Sequence, residues 1–371
     1  MAPAPDRILT VNAGSSSLKL RVLDAGDRVV CSRDSGSIED EAALRDELEA
    51  ILNDGGPIEA AGHRVVHGGP DFTGPTTLDP SVEDKLDQLA DLAPLHNPPA
   101  VAAMRALDAL RPGLPTVACF DTAFHAQMPA AASTYAVPAA WMERWPLRRY
   151  GFHGLSHSYA SRRAAELLER PAAELRIVTA HLGAGASLCA VEGGASVDTT
   201  MGFTPLEGLV MATRSGTVDP GLLLWVQRHG GWTAEEIERA LDRESGLLSL
   251  SGRSGDMREV LAGLDEGDER CQLAFAVYIH RLAAAVAAMA AAMGGLDALV
   301  FTGGVGENSP RTRAAAAKSL AFLGVEIDPQ QNLSAAGDAS VAAPQARVPS
   351  IVIAAREDLE IATQVRTTIP W

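Results

Sequence analysis

Two arginines stand where a core has no need of them. Arg64 interrupts the apolar run Gly62-His63-Arg64-Val65-Val66-His67-Gly68-Gly69, and Arg214 lies in the loop Ala212-Thr213-Arg214-Ser215-Gly216. A planar guanidinium fork matches carboxylate and phosphoryl oxygens, so the two read as a clamp for an anionic reactant, with a structural ion pair as the alternative at each position. Asp121 directly follows the apolar run Thr116–Phe120. Metal-holding carboxylates of α/β enzymes sit at such strand ends, and a helix cap is the competing use. His153, between Phe152 and Gly154, is poorly placed for core packing and can donate to a developing anion. His157, four residues on, reads as a cap or packing residue.

Three glycine-rich segments accompany these side chains. Asn12-Ala13-Gly14-Ser15-Ser16-Ser17-Leu18-Lys19 joins the apolar runs Ile8–Val11 and Leu18–Leu23, and offers an amide, hydroxyls, backbone N–H groups and one ammonium at a single bend. That suits a phosphate, and it also suits an ordinary hairpin tip. His181-Leu182-Gly183-Ala184-Gly185-Ala186 repeats the pattern between Arg176–Ala180 and Ser187–Val191. Near the end, Ala298–Thr302 reads as a strand, Gly303-Gly304-Val305-Gly306 as a turn, and Ser309-Pro310 as the cap and first residue of a helix through Leu320. A helix start after a strand offers free N–H groups and a positive dipole end to a nucleotide. None of the three matches a dinucleotide fingerprint or the GxxxxGK[ST] phosphate loop.

The elements that must position these groups alternate between strand and helix. Ile8–Val11, Leu18–Leu23 and Arg28–Cys31 read as a meander, followed by a helix over Glu41–Leu52. Arg176–Ala180, Ser187–Val191 and Val197–Thr200 repeat that meander, which predicts a duplicated α/β domain with a ligand between the halves. The length of 371 residues favours two domains. A net charge of −16 excludes nucleic acid and anionic membranes as bulk partners and requires a local basic pocket for any anion. Cys31, Cys119, Cys189 and Cys271 are scattered, with no CxxC pair, which points to a reducing cytoplasmic setting. The first residues lack the apolar stretch of a signal peptide. Leu273–Met293 is apolar but alanine-rich and broken by His280 and Arg281, so it reads as a buried helix and not a membrane span.

Taken in order, NAGSSSLK, GHRVVHGG, PLHNP, FDTAFH, RRYGFHGLSH, HLGAG, TTMGFTPLEGL, TRSG, SGDMR, FTGGVGENS and EDLEIA resemble the acetate kinase family, within the acetate, propionate and butyrate kinases of the actin-like ATPase superfamily. The resemblance implies two ribonuclease-H-like α/β domains facing a catalytic cleft. The expected division is residues 1–150, completed by about 357–371, and a nucleotide-binding and dimerisation domain over 151–356. It further implies a homodimer and a reversible, direct in-line transfer of a phosphoryl group from ATP to acetate, giving acetyl phosphate and ADP.

Position by position, the resemblance carries over a set of roles. Asn12, Ser15, Ser17 and Lys19 would line the phosphate end of the site, together with His181, Leu182, Gly183, Ala184 and Gly185. Asp256, Met257 and Arg258 would border adenine and ribose, and Gly303, Gly304, Val305, Gly306 and Asn308 would complete the nucleotide pocket. Arg64 and Arg214 would hold the acetate and the transferred phosphoryl group, with His153 stabilising the transition state and His96 supporting the pocket. Asp121, Glu357 and Asn12 would hold Mg²⁺, or Mn²⁺ in its place, largely through water. Val66, Leu95, Phe152 and Pro205 would wall the acyl group.

Two positions depart from the family pattern. Ala184 stands where HLGNG has an amide. Arg356 sets a cation beside Glu357, which would either weaken metal binding or turn outward. Open glycines at 303, 304 and 306 favour ATP over pyrophosphate as donor. Propionate kinase, a pyrophosphate-dependent acetate kinase and a non-catalytic actin-fold nucleotide-binding protein are the alternatives. A serine hydrolase fails for want of GxSxG.

Overall fold

The computed structural model describes residues 5–14, 17–36, 40–89 and 97–370, so the expectations placed on Ser15, Leu95 and His96 lie outside the described residues. The chain divides into two compact units. The first comprises Met1–Ala126, Phe152–Tyr159 and Arg356–Trp371, and the second Gln127–Gly151 and Ala160–Ala355.

In the first unit the expected meander is present as β1 (Arg7–Ala13), β2 (Leu18–Asp24) and β3 (Val29–Ser35). Period-two alternation makes it: Leu18, Leu20 and Val22 are buried on one face, while Lys19 and Arg21 take the other. β1 then pairs in parallel with β4 (Ala60–Val65), β4 in parallel with β6 (Thr116–Phe120), and β5 (Thr76–Thr77) closes the edge, giving the order β3-β2-β1-β4-β6-β5. One face of this sheet buries Leu9, Val11 and Leu20 under the helices Glu41–Asp54 and Asn97–Leu110. The other buries Ile8, Val117 and Cys119 against Ile361 and Val365 of the C-terminal helix Glu357–Thr368. Each such aliphatic side chain stabilises the fold by about 1.5–3 kcal/mol. Gly62 of β4 lets that helix lie close, because a Cβ there would overlap the Ile361 methyl and stand 2.7 Å from Val365 Cγ2.

The second unit repeats the arrangement. β7 (Arg176–Leu182), β8 (Ala186–Glu192) and β9 (Ala195–Thr199) form an antiparallel meander. β10 (Ala298–Thr302) runs parallel to β7 and to β12 (Ser350–Val352), with β11 (Ala339–Ser340) at the edge, in the order β11-β12-β10-β7-β8-β9. The two sheets thus share one strand order, and the duplicated α/β reading holds.

Two expectations need correction. Gly303–Gly306 is not a turn but part of a helix, Gly303–Asn308, that starts straight from β10. Gly303 makes this possible: its φ is +78°, and a Cβ would lie 2.8 Å from the Leu182 carbonyl oxygen. Ser309 then caps the next helix, Pro310–Ser319, as expected. The apolar stretch near 273–293 lies in the helix Glu269–Ala292, which buries only one face, through Cys271, Ala274, Tyr278, Leu282, Val286 and Met289. By length and composition it is a candidate span, but that face packs on the sheet of the unit.

His63 carries a measurable consequence. It is fully buried on β4, with neither ring nitrogen hydrogen-bonded among the described residues, and burial lowers its pKa to about 3. Its folded pKa therefore lies below the unfolded value of about 6.5, so falling pH protonates the unfolded chain first and stability is lost below that point. This group alone makes the protein about 2 kcal/mol less stable at pH 5 than at pH 7. Urea midpoints at the two pH values test it; His63→Leu reduces the difference by about 2 kcal/mol and leaves the share of the other buried histidines, and an unchanged difference in that variant contradicts the assignment.

Candidate active site

The register of the first sheet places the expected residues before any side-chain detail is considered. Asn12 stands opposite Lys19 across β1 and β2, Val11 opposite His63, and Arg64 opposite Cys119 of β6. Asn12, Lys19 and Arg64 therefore share the face covered by the C-terminal helix, toward the carboxyl ends of the parallel strands, where α/β sheets bind ligands. Lys19 is exposed there. Beyond β1, Gly14 N–H donates to the Ser17 carbonyl at 2.9 Å.

Four of these side chains meet. Arg64 Nη2 and Nε donate to Asp121 Oδ2 at 2.6 and 3.1 Å, and Arg64 Nη1 donates to Asn12 Oδ1 at 3.2 Å. Asn12 Nδ2 donates to Glu357 Oε2 at 3.1 Å, which lies 3.7 Å from Arg64 Nη1. Asp121 is wholly buried and also accepts from the Leu155 N–H, in the first turn of the helix Gly154–Leu167. The helix-cap use of Asp121 is thus present, on a helix distant in sequence, beside its pairing with Arg64. Burial pushes its carboxyl above the usual carboxylate range, with the Arg64 guanidinium and the Leu155 N–H pulling the other way. For Arg64, burial works to lower the pKa, but Asp121 and Glu357 outweigh it and hold the guanidinium charged.

Arg356 does not compete for Glu357. It turns to Asp358, with Nη2–Oδ2 at 2.8 Å and Nε–Oδ1 at 2.9 Å, and leaves Glu357 to Asn12 and Arg64.

His153 has a φ of +55°, a left-handed backbone that is uncommon for a residue with a side chain. Two contacts impose it. His125 Nε2 donates to the Phe152 carbonyl at 3.1 Å, and Gly154 packs so tightly on the Asp121 carbonyl that a Cβ would overlap it. Burial lowers the His125 pKa to about 4, so the ring is neutral at pH 7. The His125 ring centroid lies 5.8 Å from that of His157, and His157 lies 6.5 Å from His153. His157 is fully buried. Phe152 is buried beneath His67, centroids 5.4 Å apart, and Val66 is half-buried.

His125 and Asn97 are supports that the sequence reading passed over. The Asn97 amide brackets the His67 backbone, accepting from its N–H at 3.2 Å and donating to its carbonyl at 2.9 Å. Their signal was available in the closing His of FDTAFH and the Asn of PLHNP.

In the second unit, His181 stands opposite Ser187 and Thr302 at the end of β7, half-buried. Gly183 N–H donates to the Gly185 carbonyl at 2.9 Å, and exposed Ala184 accepts from Ala212 N–H at 3.0 Å, which ties this turn to the Arg214 loop. Arg214 is half-buried and loosely held: Nη1 lies 3.4 Å from the Pro205 carbonyl, and Nε lies 3.7 Å from Asp242. Burial lowers its pKa. Asp256 caps the helix Met257–Asp265, Met257 is buried, and the exposed Arg258 folds back on Asp256. Gly304 has open space where a Cβ would be, and Asn308 Nδ2 donates to its carbonyl at 2.9 Å. Leu182 is buried beneath Gly303.

The unequal tethering of the two arginines predicts unequal stabilities. Arg64→Ala strands the buried Asp121 carboxylate and costs about 3–5 kcal/mol, whereas Arg214→Ala costs about 1 kcal/mol or less. Urea denaturation of both variants measures this, and equal costs contradict it. Adding Asp121→Asn to Arg64→Ala recovers part of the loss.

The model of the acetokinase family matches residues 41–363. An acetate kinase of Synechococcus sp. (strain JA-2-3B'a(2-13)) is 52% identical over 314 residues, covering 85% of this chain and 77% of the relative. One of Gloeobacter violaceus is 47% identical over 357 residues, covering 95% and 88%. Among solved structures, Porphyromonas gingivalis acetate kinase superposes with a TM-score of 0.90 at 36% identity, covering 98% of this chain and 99% of that one. A Francisella tularensis propionate kinase gives 0.91 at 35% identity, with 98% and 100% covered. With its repeated sheets and its Asn12–Arg64–Asp121–Glu357 cluster, the chain belongs to the acetokinase family.

Proposed function

We propose that the protein transfers the γ-phosphoryl group of ATP to acetate, forming acetyl phosphate and ADP, and catalyses the reverse reaction as well. The observation that carries this reading is the Asn12–Arg64–Asp121–Glu357 cluster, a guanidinium held among hard oxygen donors, in a chain of this family. Acetate is already a nucleophile at neutral pH, so no general base is required. The obstacle is bringing anions together and spreading charge over the in-line transition state. Arg64 and Arg214 answer it as cations, and His153 as a donor to the equatorial oxygens. Arg214, with only long contacts among the described residues, has donors to spare for a phosphoryl or carboxylate oxygen.

The donor set of the cluster fits Mg²⁺. Among the described residues no three His, Cys, Asp or Glu side chains converge into a protein-only cage. Two carboxylates with one amide are what Mg²⁺ takes when it keeps water and substrate phosphates as its remaining ligands. Asp121, Glu357 and Asn12 would hold it. When bound, the ion neutralises the phosphate oxygens.

Nucleotide binding is assigned to Asn12, Ser17 and Lys19, to His181–Gly185, to Asp256–Arg258, and to Gly303–Gly306 with Asn308. Val66, Phe152 and Pro205 are assigned to the acyl wall, which suits acetate better than propionate. The cytoplasm accords with the scattered cysteines, none of them paired in a disulfide among the described residues, and a homodimer accords with the helix Pro220–Gly230, none of whose 11 residues is buried, and with exposed Leu222, Leu224, Trp225 and Trp232. An apolar surface of that kind marks an association site.

The test is acyl hydroxamate formation when purified protein, ATP, Mg²⁺ and acetate react in hydroxylamine. Product is expected with ATP and not with pyrophosphate, propionate has a kcat/KM about tenfold lower or less, and Arg214→Ala lowers kcat by about 10³. A near-normal rate in Arg214→Ala, or a preference for propionate, contradicts the assignments. Sedimentation of Trp225→Glu gives a monomer if these helices form the dimer contact, and an unchanged dimer locates the contact elsewhere.

A further inference from the structure

The loop from Thr200 to Gly208 lies outside regular secondary structure, yet it holds a charge network for which the reaction has no direct use. Glu207 accepts from the Tyr135 hydroxyl at 2.6 Å through Oε2 and pairs with Arg149 Nη2 at 2.7 Å through Oε1. Arg149 Nη1 donates to the carbonyls of Thr200 and Met201 at 3.2 and 3.1 Å, and the Tyr135 hydroxyl accepts from Phe203 N–H at 2.9 Å. Gly202 passes so close that a Cβ would overlap both the Glu207 carboxylate and the Tyr135 hydroxyl. Its carbonyl accepts from the N–H groups of Tyr150 and Gly151 at 3.0 and 3.3 Å. Two side chains from outside the loop thus fix it at Thr200, Met201, Phe203 and Glu207. Burial and Glu207 push the Tyr135 phenol up, so its proton stays in place as the donor.

An ionic network is a poor way to stabilise a loop, because desolvation offsets most of its Coulombic gain and apolar residues would serve as well. What it supplies is geometry. The loop presents the Pro205 carbonyl to Arg214 Nη1 at 3.4 Å. Its far end is locked to the Arg214 turn: Gly208 N–H donates to Thr217 Oγ1 at 3.1 Å, Thr217 N–H donates to the Gly208 carbonyl at 2.9 Å, and a Cβ on Gly216 would lie 2.6 Å from that same carbonyl oxygen. Among the described residues Arg214 has no short ion pair, since Asp242 is 3.7 Å away and Met211 Sδ 3.9 Å, and its shortest side-chain contact is the one the loop supplies through Pro205.

We propose that Glu207, with Tyr135 and Arg149, is a positioning centre that sets Pro205 and, through the Pro205 carbonyl, the reach of the Arg214 guanidinium. The inference rests on the role of Arg214 in phosphoryl transfer proposed above. It makes one set of residues responsible for two properties: the rate, through Arg214, and the acyl preference, through the Pro205 ring.

Glu207→Gln keeps the shape of the side chain and removes its charge, and Tyr135→Phe removes one hydroxyl, so the second variant serves if the first fails to fold. Each lowers kcat by about 10- to 100-fold, the loss expected for a slight misplacement of a reacting group, and shifts the acetate-to-propionate ratio of kcat/KM while KM for ATP stays unchanged. In an Arg214→Lys background, Glu207→Gln costs less than about threefold, because the group it positions is already gone. Full kcat and an unchanged acid preference in both single variants overturn the proposal, as does an undiminished cost of Glu207→Gln beside Arg214→Lys. An Arg214→Lys protein with normal kcat overturns the role of Arg214 itself and this inference with it. An impaired Arg214→Lys beside an unimpaired Glu207→Gln overturns the positioning alone.

Discussion

A carboxylate with no exposed surface must have its charge answered within the protein, and at Asp121 that demand organises the first unit. Arg64 answers it from β4, and the first turn of the helix Gly154–Leu167 answers it through the Leu155 N–H. Meeting both partners brings the 3₁₀ turn Asp121–His125 against the start of that helix, close enough that only glycine fits at position 154. His153 is then forced into its left-handed backbone, with His125 holding the carbonyl before it. Arg64, once fixed, reaches Asn12 and Glu357, so the tip of the first hairpin and the C-terminal helix are drawn into the same cluster.

The second unit solves the opposite problem. Its arginine has no buried carboxylate to lock it, and its position is inherited from a loop that is itself held by Glu207, Tyr135 and Arg149. Among the described residues Arg64 is held by short contacts to Asp121 and Asn12, and Arg214 only by long ones. In the function proposed above, that difference separates a cation fixed in place before the reactants arrive from one whose donors are freer to turn to them.

Much of this was legible in the residues. Alternation gave both meanders, and the position of Asp121 after an apolar run placed it at a strand end because β6 stops at Phe120. Arg64 in a strand announced itself as polar where a core is apolar. Other features depend on contacts distant in sequence. Tyr135 and Arg149 lie 72 and 58 residues from Glu207, and no local pattern links them. The side chain of Arg356 had two uses open to it, and only the nearness of Asp358 decides between them. The glycines at 303–306 read as a turn because glycine usually makes one, whereas here the first permits a helix to begin against Leu182. In the helix Glu269–Ala292, alanines on both faces blur the periodicity that would have shown one-sided burial.

Asn12, Arg64, Asp121 and Glu357 set one guanidinium against two carboxylates, and in the function proposed above the negative charge left over receives a divalent cation with the nucleotide. The most direct measurement is Mn²⁺ binding, by electron paramagnetic resonance, to the protein with ADP. Binding is expected to weaken sharply in Asp121→Asn and Glu357→Gln and to persist in Asp358→Asn, whose carboxylate is already engaged by Arg356. Unchanged Mn²⁺ affinity in Asp121→Asn and Glu357→Gln would contradict the account.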